Sequence, residues 1–367
     1  MAQSAEHPIE QLALGRVGLA NLGNTCFLNT IIQSLRYCTD LTTYFTSNKY
    51  KQHVRPDRPS AALLEEMVDV TKGMWRDDIK PNASMSARGF MAQAVRVSRS
   101  MPQYEDLLRG GHEDAGEFLI FMVEVLHAAI SRKVEMNIVG NPRSRSDEIH
   151  IKALEAWAQF SKTDYSPIVD LFFGQTCLTI TCKKCGHMTR RFDPWSQIKV
   201  PVPSDDNAHI DLAECINESF GKELLEDYRC DGCKEKGTSE SVPTISRLPQ
   251  YLIVIMKRFD NSARKKRPKV NIDLNNTNMS KWISFPSVLK GISPIYTTFA
   301  VVEHHGVSRG GHYISYAKHN GAWIRYDDTS NSITTPENII NNDTYILIMT
   351  NKQYASPVPV TKEIKPE

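Results

Sequence analysis

Two C-x-x-C knuckles, Cys182-Lys183-Lys184-Cys185 and Cys230-Asp231-Gly232-Cys233, constrain this chain more than any other feature. Four thiolates at that spacing make a closed tetrahedral zinc site, so segments 44 residues apart must meet at one point. A free-standing zinc ribbon separates its knuckles by roughly 15 to 20 residues. The longer gap predicts an inserted hairpin whose base or tip the metal clips together. Saturated coordination leaves no position for water, so the expected Zn2+ is a single structural ion. Redox pairs and disulfides are the competing readings, and neither suits paired knuckles in a chain whose first 15 residues are polar and lack an apolar leader. His187 reads as a surface residue, and Cys38, Cys177 and Cys215 as packing residues.

An eighth cysteine has different surroundings. Cys26 follows Gly23-Asn24-Thr25, which is turn and cap chemistry, and from Phe27 the apolar residues Leu28, Ile31, Ile32 and Leu35 recur at helical spacing. This places Cys26 at a helix N-terminus, where unpaired N–H groups and the macrodipole are expected to lower a thiol's pKa. Far downstream, Gly310-Gly311-His312-Tyr313 precedes Trp323-Ile324-Arg325-Tyr326-Asp327-Asp328. Thiol, imidazole and carboxylate are the parts of an activated-cysteine hydrolase.

Register links the last two. Tyr313 to Lys318 and Ala322 to Tyr326 read as strands joined by a two-residue Asn320-Gly321 turn. His319 then faces Ala322, and Asp327 becomes the diagonal neighbour of His312 on one face of the ribbon, with Asp328 on the other.

At these residues the chain resembles the ubiquitin-specific proteases, the papain-like cysteine deubiquitinases. The likeness runs from about Gly18 to Asn351 through separate blocks: Gly18 to Leu35, His112 to Leu119, Leu171 to Gly174, the cysteine pairs, Tyr251 to Phe259, Phe285-Pro286, and the His and Asp boxes. It implies that Cys26 is the nucleophile, His312 the general base, Asp327 the residue that orients the imidazole, Asn21 the oxyanion donor and Asp328 an assisting group. The implied substrate-binding set is Asp114, Gly310, Gly311 and Tyr313. Two departures stand out: His112-Glu113-Asp114 replaces the usual Gln-Gln-Asp, and Gly116 stands where His or Gln is common. The implied fold is α+β and papain-like, with a helical thumb (about 16–170), zinc-stapled β fingers (about 174–245) and a β-rich palm (about 246–352), flanked by tails 1–15 and 353–367.

The residue pattern agrees. Apolar periodicity predicts helices over Phe27 to Tyr37, Ala61 to Met74, Phe90 to Val97 and Asp114 to Ile130, a polar loop over Asn137 to Asp147, and a short amphipathic segment around Ile151 to Phe160. Strands are expected at Thr176 to Thr181, Ser196 to Val202, Leu252 to Phe259 and Thr297 to Glu303, and Val358 to Glu367 is expected to fray.

Three function classes follow: a thiol deubiquitinase, the same chemistry on another ubiquitin-like modifier, or a non-catalytic zinc-bearing ubiquitin-binding scaffold. Ubiquitin or ubiquitinated proteins are the expected partners, with an activating protein as a further candidate. A net charge of +2 argues against a nucleic-acid module. No apolar run reaches the roughly 18 residues of a membrane span, and a cytoplasmic or nuclear location is expected. Arg264 to Lys269 reads as a nuclear import signal, a patch for an acidic partner, or a solvated loop.

Overall fold

The structure is a computed structural model that describes residues 15–351 and 361–363, apart from 77, 81, 140, 261, 285–292 and 309. The first 14 residues, Phe285-Pro286 and the 353–367 tail other than Thr361–Glu363 lie outside that set. The first half is helical: α1 (Cys26–Leu35), α2 (Thr39–Thr46), α3 (Pro59–Met74), α4 (Arg88–Ser98), α5 (Ala115–Ile130), α6 (Arg145–Ser161) and α7 (Pro167–Phe172). A further helix, α8 (Leu212–Ser219), interrupts the strand-rich half. That half contains β1 (Gly174–Cys182), β2 (Met188–Trp195), β3 (Ile198–Pro201), β4 (Glu223–Arg229), β5 (Lys236–Arg247), β6 (Tyr251–Lys257), β7 (Ile295–Val307), β8 (Gly310–His319), β9 (Ala322–Asp327), β10 (Ser330–Thr334) and β11 (Thr344–Thr350).

Among the described residues, β2-β1-β5-β4 form a four-stranded antiparallel sheet. The larger sheet runs β10-β9-β8-β7-β11-β6-β3, with Thr277–Asn278 paired to β7. Ile198–Pro201, which the sequence divides into the finger segment, thus belongs to the large sheet and pairs parallel with β6. The run Tyr251 to Met256 is apolar throughout because both faces of β6 are buried. Its odd residues join the helical core with α1 and α5, and its even residues join a second core with α8 and Trp282.

Local chemistry explains where reading the sequence fell short. Asp114 is the N-cap of α5 rather than a first-turn residue, its Oδ1 accepting from the Glu117 N–H at 2.9 Å. Ser144 caps α6 in the same way, so a helix begins inside the expected 137–147 loop. The segment expected to fray contributes Thr361–Glu363, which pairs antiparallel with Val134–Met136. Helix α2 was missed because its apolar positions are few.

Two contacts hold the residues flanking α1 against the end of the large sheet. Arg36, 1% exposed, donates to the Tyr326 hydroxyl at 2.9 Å and to Gln33 Oε1 at 2.8 Å. Its guanidinium lies 4.5 Å from the Tyr37 ring centroid and 5.0 Å from that of Trp75, which with these acceptors replaces a carboxylate partner. Gly18 runs against the Thr329 backbone so closely that an added Cβ would lie 2.5 Å from its carbonyl carbon and 2.7 Å from its Cα. Gly18→Ala should therefore destabilise the chain by about 1–3 kcal/mol, read as a lower urea midpoint. An unchanged midpoint would mean that the two segments separate at no cost.

Candidate active site

The turn before α1 is built around one carboxamide. Asn21 Oδ1 accepts from the backbone N–H of Gly23 (3.0 Å) and Thr25 (3.1 Å) and from the Thr25 hydroxyl (3.3 Å). Gly23 and Asn24 take positive φ values of 100° and 55°, which the Gly-Asn pair accommodates. Three donors on Oδ1 fix the amide orientation and aim Nδ2 outward, where it donates to Asp328 Oδ2 at 2.8 Å. Asn29 donates to the other oxygen, Asp328 Oδ1, at 2.8 Å. The sequence reading passed over Asn29, although its position one helical turn beyond Cys26 places it on the same face of α1.

Cys26 is the first residue of α1 and only 2% exposed. Burial pushes its thiol up, the Tyr313 backbone N–H pulls it down, and the charge of Asp328 pushes it up again, with a raised pKa as the result. This corrects the expected lowering: desolvation of the thiolate outweighs the helix terminus in the free chain. The Tyr313 amide at the sulfur brings Cys26 beside the residue that follows His312.

The hairpin has the register read from the sequence, with His319 opposite Ala322 and Ser315 opposite Tyr326. His312 Nε2 bonds Asp327 Oδ1 at 2.6 Å, and Arg325 donates to Asp327 Oδ2 at 2.8 Å. Burial works against ionisation of Asp327, but the His312 and Arg325 bonds together hold its carboxyl below the usual range. With Nε2 donating to a carboxylate, the neutral imidazole carries its lone pair on Nδ1.

The residues implied for substrate binding divide. Asp114 lines a cleft of about 570 Å³ between α5 and β6, with Glu117, Lys199, Phe259 and Tyr345, and its Oδ2 accepts from the Tyr345 hydroxyl at 2.6 Å. Gly311 is required by packing, since an added Cβ would lie 2.6 Å from His304 Nε2. Gly310 has open space beside it. The ring of Tyr313 is 4% exposed and lies 4.5 Å from that of His304. Its hydroxyl accepts from the Ala115 N–H at 3.4 Å, next to Asp114, while its backbone amide meets the Cys26 sulfur.

In the small sheet the Sγ atoms of Cys182, Cys185, Cys230 and Cys233 lie within 4.8 Å of one another. The Cys185 and Cys230 sulfurs are 3.6 Å apart, close to the edge of about 3.8 Å for a zinc–thiolate tetrahedron. The Gly232 N–H donates to Cys230 Sγ at 3.3 Å, and left-handed Gly186 and Lys234 close the two knuckles. The donor set fits one zinc ion. His187 is exposed and stays outside the cluster. Three of the five cations in the basic run are paired within the chain: Arg264 with Asp206, and Lys265 and Arg267 with Asp343.

A family model described as ubiquitin carboxyl-terminal hydrolase matches residues 17–349. Ubiquitin carboxyl-terminal hydrolase 2 of Bos taurus is 28% identical over 359 residues, which cover 94% of this chain and 56% of that protein. The protein of the same name from Gallus gallus is also 28% identical, over 94% of both chains. The chain thus spans little more than half the length of the bovine relative. Among solved structures, the SAGA Ubp8/Sgf11/Sus1/Sgf73 DUB module bound to ubiquitin aldehyde contains a chain similar at a TM-score of 0.70 and 21% identity, covering 94% of this chain and 71% of its own. That likeness is one of fold.

The charge of Asp328 opposes the thiolate of Cys26. Asp328→Asn should therefore shift the pH dependence of Cys26 alkylation by iodoacetamide to lower pH, read by intact mass. A shift to higher pH would mean that the lost hydrogen bonds matter more than the charge.

Proposed function

Since the chain belongs to the ubiquitin carboxyl-terminal hydrolase family, we propose that it is a thiol-dependent deubiquitinase that hydrolyses the peptide or isopeptide bond after the last glycine of ubiquitin. The observation that carries this reading is Cys26 at the start of α1, beside the Tyr313 amide, with the bonded His312–Asp327 pair on the adjoining strand end.

The chemistry is acyl transfer. His312 Nδ1 takes the thiol proton, and the Cys26 sulfur attacks the glycine carbonyl carbon. An amide nitrogen carries two hydrogens, and Asn21 uses one on Asp328. The other, on a side chain that is exposed, would serve the oxyanion, where a donor acts on charge that develops only in the transition state. His312 then gives its proton to the leaving amine, and water, deprotonated by the same imidazole, hydrolyses the thioester. Asp327 keeps the ring oriented throughout and stabilises its protonated form. Asp114, which lines the cleft between the helical half and the large sheet, would hold the extended tail.

Burial and the raised thiol argue that the free chain is not in its most reactive state. We place its activation at the binding of ubiquitin or of a protein partner. The similar solved assembly holds its Ubp8 chain together with Sgf11, Sus1 and Sgf73, which favours a partner. Cys182, Cys185, Cys230 and Cys233 would hold a structural zinc ion whose contribution is cross-linking alone. A cytoplasmic or nuclear location suits eight cysteines without a disulfide, and the ion pairs of Arg264, Lys265 and Arg267 weigh against an import signal there.

Ubiquitin carrying a C-terminal thiol-reactive group should label the wild-type chain covalently and fail to label Cys26→Ala. Labelling of the variant would overturn the nucleophile, and preference for a SUMO-type probe would transfer the chemistry to another modifier. Metal analysis should find about one zinc per chain, with both zinc and melting temperature lower in Cys230→Ser. Equal zinc in the two would remove the four-thiolate site.

A further inference from the structure

The two oxygens of Asp327 are used by different partners. Oδ1 bonds His312 Nε2 at 2.6 Å, while Oδ2 accepts from Arg325 Nη2 at 2.8 Å. Arg325 lies two residues earlier on β9, hence on the same face, and its cross-strand partner on β8 is Tyr316. The Tyr316 hydroxyl donates to Glu303 Oε2 at 3.2 Å, and that same oxygen bonds His305 Nε2 at 2.9 Å. Glu303 is 1% exposed, and its Oε1 accepts from the Asn341 amide. His305 stands directly opposite His312 in the β7–β8 pairing. One face of three adjacent strands therefore carries a polar chain running from the imidazole through Asp327, Arg325, Tyr316 and Glu303 to His305.

Neither oxygen of Asp327 is left to rotate freely. A carboxylate that is 30% exposed and held at one oxygen alone could swing about its Cβ–Cγ bond and carry the imidazole with it. A guanidinium on the second oxygen removes that freedom and places a positive charge one side chain away from His312. We propose that Arg325 is a positioning residue for the deubiquitinase reaction: it locks the carboxylate that orients His312 and offsets part of its charge. This rests on the function proposed above, but the geometry can be tested without ubiquitin.

The expected sign follows from the charges around His312. Asp327 and Asp328 lie near it from the end of β9, with the three side chains' ligand atoms within 4.8 Å of one another. Cys26 approaches from α1, and His305 faces it from β7. His305 is pushed up to about 9 by its bonds to Asp343 and Glu303 and is therefore cationic at neutral pH. Arg325 is a second cation in this set. Removing a cation raises the pKa of neighbouring acids, so the Cys26 thiol is expected to move up.

The experiment compares wild type, Arg325→Gln and Arg325→Lys in two assays across pH. One is turnover of a fluorogenic ubiquitin C-terminal amide, and the other is Cys26 alkylation by iodoacetamide, which needs no ubiquitin. Arg325→Gln is expected to move the thiol limb of the kcat/KM profile, and the alkylation midpoint, to higher pH by about half a unit. Its kcat should fall about fivefold, the size expected for a half-exposed ion pair, with KM nearly unchanged. Arg325→Lys keeps the charge and should keep the wild-type limbs. A folded Arg325→Gln chain whose profiles superimpose on wild type in both assays overturns the proposal. So does an Arg325→Lys chain shifted as far as Arg325→Gln. Should Arg325→Gln fail to fold, Arg325→Met retains the packing of the aliphatic stem and is read by the same criteria. A wild-type chain that never turns over ubiquitin counts against the deubiquitinase reading, while the alkylation series still decides the role of Arg325.

Discussion

The Asp328 carboxylate joins the two halves of this chain at the site. Asn21, in the turn before α1, and Asn29, within α1, each donate to one of its oxygens at 2.8 Å. Asp328 itself takes a left-handed backbone, φ 49°, and its carbonyl accepts from the Leu19 N–H at 2.8 Å. Residues about 300 apart in sequence thus hold one another within a single hydrogen-bonded cluster. A carboxylate with a carboxamide on each oxygen has little rotational freedom, and it determines where the free N–H of Asn21 points. Arg36 on Tyr326 and Gly18 on Thr329 add contacts between neighbouring residues, so the segments around the thiol helix and around the strand bearing Asp327 meet at three points.

That fastening fixes Cys26 at a helix terminus, but the same packing buries the thiol. A helix N-terminus contributes about 0.3–1 kcal/mol in favour of an anion at an exposed position, whereas removing a thiolate from water costs more. The balance falls on the neutral thiol in the free chain. For the deubiquitinase proposed above, this gives a physical reason to couple the chemistry to the arrival of a large polypeptide substrate or partner.

The small sheet is organised by its sulfurs. Strands β1, β2, β4 and β5 are mostly half-exposed and bury little apolar area at the knuckle end, where Leu224 and Met188 stand 65% and 48% exposed. A ribbon of this kind is marginal without a cross-link. Four thiolates brought within 4.8 Å supply the place for one, far from the Cys26 site in sequence and in role.

Much of this was readable in the residues. The cysteine knuckles, the Gly-Asn-Thr-Cys turn, the α5 stripe and the Asn320-Gly321 hairpin are local signals, set by turn geometry, helical periodicity and strand alternation, and such signals survive in one dimension. Register alone carried Asp327 to the face of His312, because a two-residue turn leaves no choice of pairing. The roles of Asn29 and Arg325 were not legible. Each depends on a carboxylate from the Asp327-Asp328 pair turning toward it, and an asparagine in a helix or an arginine in a strand reads as an ordinary surface residue. Nor could sequence give the sign of the thiol's shift, the burial of the Tyr313 ring or the internal pairing of the basic run. Those follow from which groups lose water when distant segments pack. Short-range stereochemistry therefore determined the elements and the candidate chemistry, while desolvation and long-range hydrogen bonding, which exist only in the folded chain, decided how the groups are held and charged.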